Sequence, residues 1–307
     1  MIKLPYCPNC GKELPFESAF CINCGHSVKI TPGAPSVGAF YVDVIRRLIN
    51  ERKETDYIMP IWLPYVSIII PVVGFLVVLL YTYQTAMYYI SRPLALLTFS
   101  PTGFVSSIQS LLLISSLIAL AISLFVLYKW INRLNQHLER TGKLYDNASS
   151  FINSKGYTDL ANNLKNWIQT ANIEVKKKNT AAYVAAIGVF YLISQFLYLT
   201  SIIYVILIIY VLHFLNKSFH RYDSYEKAIW DGINDYFKKI GRSMTNYPIS
   251  KIGRLPSRGT AVYIVLTIIT LGIFYFYWIY TVTKDPNEHF KSHALVEQEF
   301  ADLITTV

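Results

Sequence analysis

Between Thr180 and Leu215 there is not one Asp, Glu, Lys or Arg. Three further blocks, Tyr57 to Ser91, Pro93 to Tyr128 and Gly259 to Thr283, are equally bare of charge. Charged residues make up only 15% of the chain, against about 25% in an average soluble domain. The apolar surface therefore belongs in lipid rather than in a large soluble core, and each block is long enough to reach across a bilayer. The same lack of charge removes the usual carriers of proton-coupled transport and of intramembrane acid chemistry. A Walker loop, a Gly-x-Ser-x-Gly elbow and a His-Glu-x-x-His helix are also missing, and with them the common signatures of nucleotide hydrolysis, serine hydrolysis and zinc proteolysis. No enzymatic activity is expected.

Cysteine is scarce too, and all four residues stand in one frame: Cys7-Pro8-Asn9-Cys10-Gly11, ten residues, then Cys21-Ile22-Asn23-Cys24-Gly25. Two Cys-x-x-Cys knuckles can present four thiolates at tetrahedral geometry to one Zn²⁺. The competing reading is a pair of disulfides. Paired knuckles without a signal-peptide pattern ahead of them favour a reducing compartment, and so zinc. His26 adjoins a site already filled by four sulfurs and is expected in solvent. The stretch resembles the short zinc-ribbon family that heads many prokaryotic membrane proteins: Tyr6, Pro8, Phe20 and the four cysteines fit its pattern. That resemblance implies one closed, structural zinc held by Cys7, Cys10, Cys21 and Cys24. Lys3 and Lys12 are offset by Glu13 and Glu17, so the ribbon lacks the basic stripe of a nucleic-acid binder and suits protein contact instead.

The remainder divides by composition. Residues 1–26 form the ribbon and 27–38, rich in Pro, Gly and Ser, a flexible linker. In 39–56, Phe40, Val44, Ile45, Leu48 and Ile49 share one helical face, which fits lipid contact and packing on the protein's own polar domain equally well. Residues 57–131 read as a transmembrane hairpin with spans near Ile61 to Tyr83 and Phe104 to Tyr128. The 132–179 segment reads as cytoplasmic helices and 180–215 as either one overlong helix or a second hairpin, with the hairpin favoured by Lys176-Lys177-Lys178 before it and Lys217 and Arg221 after it. A cytoplasmic amphipathic segment follows at 216–258, then a transmembrane helix at 259–283 and an acidic amphipathic tail at 284–307. Thr158 is placed to cap a helix whose stripe is Leu160, Leu164, Trp167, Ile168, Ala171 and Val175. A second stripe runs through Tyr225, Ile229, Ile233, Tyr236, Phe237 and Ile240, and the two can bury each other.

Lys and Arg outnumber Asp and Glu by nine to four both in 129–179 and in 216–258, but by only seven to six before Tyr57. Positive-inside orientation and anionic headgroups account for that excess, which makes nucleic acid an unlikely partner. Charge counting thus predicts an all-α polytopic membrane protein of about five transmembrane helices, with a cytoplasmic N-terminus in the cell membrane and the tail outside. Four spans, with 259–283 dipping in and returning at Thr270-Leu271-Gly272, is the alternative. The exits from lipid look alike, with Asn135-Gln136-His137, Asn216-Lys217-Ser218-Phe219-His220 and Asn287-Glu288-His289, as an imperfect internal repeat would. Leu266 to Tyr280 resembles a family of prokaryotic (archaeal) membrane proteins of unknown function marked by Thr-Leu-Gly-Ile-Tyr and a following Tyr-Trp. Thr270, Leu271, Gly272, Ile273, Tyr277 and Trp278 fit, and Phe274 departs from it. That resemblance implies no activity.

His289, His293 and Glu297 fall at i, i+4 and i+8, the geometry of a metal clip. Polar residues recur at that spacing by chance on exposed amphipathic helices, which is the plainer reading here. His213 is expected at the interface. The sequence therefore favours an integral membrane scaffold or accessory subunit of a membrane complex, partnered by the bilayer and another protein. A small-solute channel lined by the serines of the second span with Gln84, Gln109 and Gln195 is one alternative, and a membrane-tethered nucleic-acid regulator another.

Overall fold

A computed structural model describes residues 23, 37–92 and 100–307. Every regular element among them is a helix: α1 Val37–Asn50, α2 Arg52–Thr55, α3 Leu63–Ser91, α4 Pro101–Ser154, α5 Thr158–Glu174, α6 Thr180–Ser194, α7 Tyr198–Lys239, α8 Asn246–Ile249, α9 Thr260–Ile269 and α10 Ile273–Ile304. The four cysteines and residues 27–36 of the expected 27–38 linker lie outside the described residues, while residues 37 and 38 open α1.

Among the described residues three helices are long and apolar enough to cross a membrane: α3, α4 and residues Leu199–Lys239 of α7. At 1.5 Å per residue α4 runs about 80 Å, far more than the roughly 30 Å of hydrocarbon. Its second half must therefore stand clear of lipid, and the sequence shows where, turning from Phe125-Val126-Leu127-Tyr128 to Lys129-Trp130-Ile131-Asn132-Arg133 without a break in the helix. The boundary expected at 131/132 is thus a change of solvent, not of element. The helix ends only at Ser154, just ahead of Gly156, where φ is +86°. It begins with Ser100, whose Oγ accepts the Gly103 N–H at 3.3 Å, followed by Pro101, which has no amide hydrogen to leave unpaired.

The 180–215 block is two helices. The chain turns at Gln195, Phe196 and Leu197, and α6 packs back along α7. Asn179 caps α6 by accepting the Ala182 N–H at 3.1 Å. In 259–283 the expectation of one transmembrane helix is overturned. The chain reverses at Thr270-Leu271-Gly272, with φ of +49° at Leu271 and +92° at Gly272. The Thr270 hydroxyl joins the two arms, donating to the Leu266 carbonyl at 2.7 Å and accepting the Phe274 N–H at 2.9 Å. Neither arm has enough apolar residues to cross, so this is a short dip with Leu271, 94% exposed, at its tip.

The tail is corrected with it. The Arg52 guanidinium donates to the Ala294 carbonyl at 2.9 Å, and the Asn287 side chain exchanges hydrogen bonds of 3.1 and 2.8 Å with the Met59 backbone. The segment before α3 and the end of α10 therefore share one side, which requires an even number of crossings between them, and the shorter apolar α6, packed along α7, would make up that number with the three long helices. Five spans with the tail outside do not satisfy this.

The polar halves of α4, α7 and α10 form a helical domain with α1 and α5. Ile45, Leu48 and Ile49 of α1 are buried with Leu144, Ala148, Phe151 and Phe300, so α1 packs on this domain. Leu164 and Ile168 of α5 bury against Ile229 and Ile233 of α7, as the two stripes require. Trp167 departs from its stripe and stands 45% exposed, and Thr158 makes no side-chain cap. Pro286 interrupts α10 and deprives the Val282 carbonyl of its helical donor. Arg133 replaces that donor, at 2.7 Å. Burial pushes the Arg133 guanidinium down to about 9.

A buried histidine–carboxylate cluster

In the membrane half, a cavity of about 680 Å³ between α3, α4, α6, α7, α9 and α10 is lined by side chains such as Ile68, Leu127, Tyr204 and Trp278, none of them ionisable as acid or cation at neutral pH. The titratable groups gather one step further along the same helices. Each of α4, α7 and α10 carries its apolar stripe out of the membrane half and, on the same inward face, ends it with polar residues: His137 and Arg140 on α4, Asp223 and Glu226 on α7, His289, His293 and Glu297 on α10. All seven are buried, and Asp56 at the end of α2 closes the group.

The imidazoles are arranged alike. Nδ1 of His137 lies 3.1 Å from Asp56 Oδ1, Nδ1 of His289 lies 2.9 Å from Asp223 Oδ1, and Nδ1 of His293 lies 3.2 Å from Glu297 Oε1. The three Nε2 atoms point inward. His137 Nε2 is 3.3 Å from His289 Nε2 and 3.4 Å from Glu226 Oε1. Glu226 Oε2 is 2.9 Å from His289 Nε2 and 3.1 Å from His293 Nε2. One ligand-type atom from each of His137, Glu226, His289 and His293 falls within 4.8 Å of all the others, so these are the residues that could hold a metal ion.

An outer layer fixes the inner one. Arg140 donates to both oxygens of Glu297 at 2.9 Å and to Asp56 Oδ2 at 2.8 Å. Tyr145 donates to Glu226 Oε1 at 2.8 Å and accepts from Trp230 Nε1 at 3.1 Å. Asp223 also accepts the Gly253 and Leu255 amides, at 2.8 and 2.9 Å, which ties the 250–258 loop to the cluster. Burial opposes charge on His289, yet Glu226 and Asp223 raise its pKa to about 10. Burial likewise favours a neutral Glu226, and the facing His293, His289 and His137 hold it well below the ordinary carboxylate range. Burial also raises the Tyr145 phenol, and the Glu226 charge beside it adds to that, so Tyr145 stays a donor.

The helix-face expectation for His289, His293 and Glu297 is met in spacing and corrected in surroundings. The face is buried rather than exposed, and Glu297 grips the back of His293 instead of joining the inner four. His137 and Glu226 were not singled out by any local pattern as site residues. His213 pairs with Thr260 at 2.7 Å and His220 with the Leu255 carbonyl at 2.9 Å, both away from the cluster.

Fold and composition together define an all-helical protein with helices suited to a membrane and a zinc-ribbon head. Residues 6–28 match a zinc-ribbon domain family, which implies zinc binding there, and residues 258–303 match a domain of unknown function (DUF4234). The second match covers the α9–α10 dip together with His289, His293 and Glu297, while His137 and Glu226 lie outside it. No curated protein and no solved structure matches the chain.

Proposed function

We propose that this protein is a non-enzymatic scaffold or accessory subunit of a membrane complex, set in the cell membrane with its ribbon and helical domain in the cytoplasm. One observation carries the reading: the segment that bears the ribbon is locked to the helical domain. Buried Asp56 joins His137 and Arg140, and Arg52 joins Ala294, so the segment that follows the ribbon and linker in sequence is fixed to the helical domain. That domain offers apolar side chains to a protein partner, with Trp167 and Ile173 on α5, Leu295 on α10 and Ile249 on α8 all exposed.

The other readings draw less support. Ser106, Ser107, Ser110 and Ser116 turn their hydroxyls back to carbonyls of their own helix, and Gln84, Gln109 and Gln195 are exposed on three separate segments. They do not converge as pore-lining groups would. Cations of the basic segments are engaged by Glu139, Glu174, Asp231 and Glu288, which breaks up the stripe that nucleic acid needs. Purification from native membranes in mild detergent is the test. A partner should accompany the wild-type chain in constant ratio and be depleted by Trp167→Glu. A chain that always emerges alone refutes the scaffold reading.

A further inference from the structure

Ionised carboxylates only accept hydrogen bonds, so the Nδ1 atoms of His137, His289 and His293, each facing one, carry hydrogen and donate it. With the Nδ1 hydrogens turned outward, an ion that displaces the Nε2 protons finds three lone pairs aimed at one another and at Glu226. Four such atoms converging in a buried interior need positive charge among them, either protons on the imidazoles or one metal ion. The dimensions are those of a small cation. A tetrahedron with bonds of about 2.0–2.1 Å has edges of about 3.3 Å; the Nε2 atoms of His137 and His289 stand 3.3 Å apart, Glu226 Oε2 lies 2.9 and 3.1 Å from His289 and His293, and the other oxygen, Oε1, lies 3.4 Å from His137.

The charge agrees. Asp56, Asp223, Glu226 and Glu297 are four carboxylates, faced by two guanidiniums, Arg140 at 2.8–2.9 Å and Arg52 at 3.5 Å from Glu297. Arg133, the other buried guanidinium, is committed to Asn287 and the α10 carbonyls. With the three imidazoles neutral, as metal ligands are, two negative charges remain, which one divalent ion cancels.

We propose that His137, His289 and His293, through Nε2, and Glu226, through its carboxylate, bind one divalent transition-metal ion in a second metal centre distinct from the ribbon. Three imidazoles and a carboxylate in a tetrahedral array suit Zn²⁺ and disfavour Mg²⁺ and Ca²⁺, which seek more oxygens and higher coordination. All four positions come from the chain, and none of the four side chains reaches solvent. The centre is therefore closed and structural. Asp56, Asp223 and Glu297 orient the imidazoles from behind. The ion ties α4, α7 and α10 together and, through Asp56, the segment that carries the ribbon.

The test is metal analysis of the full-length protein in detergent. The wild-type chain should carry two zinc ions, and a chain with Cys7, Cys10, Cys21 and Cys24 all changed to Ser should keep one. Adding His293→Gln or Glu226→Gln to that chain should abolish the remaining one. Titrated with Co²⁺, the cysteine-free chain should give the intense visible bands of a tetrahedral ion without a thiolate charge-transfer band, an assignment that does not depend on whether the ligand variants fold. If the cysteine-free chain does not fold, wild-type protein must take up a second Co²⁺ with that same signature, and uptake of a single equivalent overturns the proposal. A helical, monodisperse cysteine-free chain that binds neither Zn²⁺ nor Co²⁺ overturns it too, as does metal retained undiminished in both ligand variants.

Discussion

Asp223 accepts three hydrogen bonds, from Gly253, Leu255 and His289, and is 1% exposed. Asparagine has the same shape but offers one oxygen and one NH₂, so at least one of those donors must face another donor. Leaving a buried donor unpaired costs about 1–3 kcal/mol. Asp223→Asn should therefore lower the thermal unfolding midpoint in detergent, whereas Asp302→Asn, on the exposed side of α10, should leave it in place. Equal midpoints for the two variants would mean that the cluster contributes nothing to folding. This residue also shows why the cluster was only partly legible. His289, His293 and Glu297 are spaced on one helix and could be found by counting. Their partners His137, Asp223 and Glu226 lie 66 to 152 positions away, and no periodicity links residues on separate helices. The nearest signal was that His137 and His289 both follow an apolar exit with an Asn two positions before them. That likeness reads as an internal repeat and by itself says nothing of contact between the two histidines.

At the scale of elements, two of the glycines held at positive φ differ in what a side chain would meet there. Gly272, between α9 and α10, has φ of +92°, and a β-carbon there would meet nothing within 4 Å. Gly253, in the loop held by Asp223, has φ of +74°, and a β-carbon there would come within 2.5 Å of Cβ and Cδ of Lys227. A left-handed conformation costs an L-residue about 1–2 kcal/mol, and overpacking adds typically 1–3 kcal/mol more. Gly272→Ala should therefore lower the unfolding midpoint modestly and Gly253→Ala clearly more. The reverse order would show that the dip, not the loop, is the constrained turn. Charge counting missed the dip because a run of uncharged residues looks the same whether it crosses or returns. Only Leu271-Gly272 distinguishes the two, through backbone geometry. The 180–215 turn lacks Gly and Pro altogether and is closed by Phe196 and Leu197 donating to Ile193, with the Phe196 side chain 86% exposed. In lipid, such a turn can afford apolar residues where a soluble protein would place polar ones.

For the whole molecule, the decisive quantity is the parity of crossings. Positive-inside counting sent the tail outward because it carries few cations, but the weight of buried contact is larger. Carrying Glu297 to the far side would strip Arg140 of a bidentate partner at 2.9 Å and leave a buried guanidinium with Asp56 alone, a loss of about 3–5 kcal/mol for a broken buried pair. It would also separate Asn287 from Met59 and Arg133. A background with Cys7, Cys10, Cys21 and Cys24 replaced allows single reporter cysteines at three exposed positions. Arg47→Cys on α1 and Gln298→Cys on α10 should react with an impermeant maleimide from the same side of sealed vesicles. Arg92→Cys, just past the far end of α3, should react from the opposite side. Inverted vesicles should exchange the two patterns. If Gln298→Cys labels together with Arg92→Cys instead, the α10 tail lies across the membrane from α1, and both the shared helical domain and the cluster within it fall.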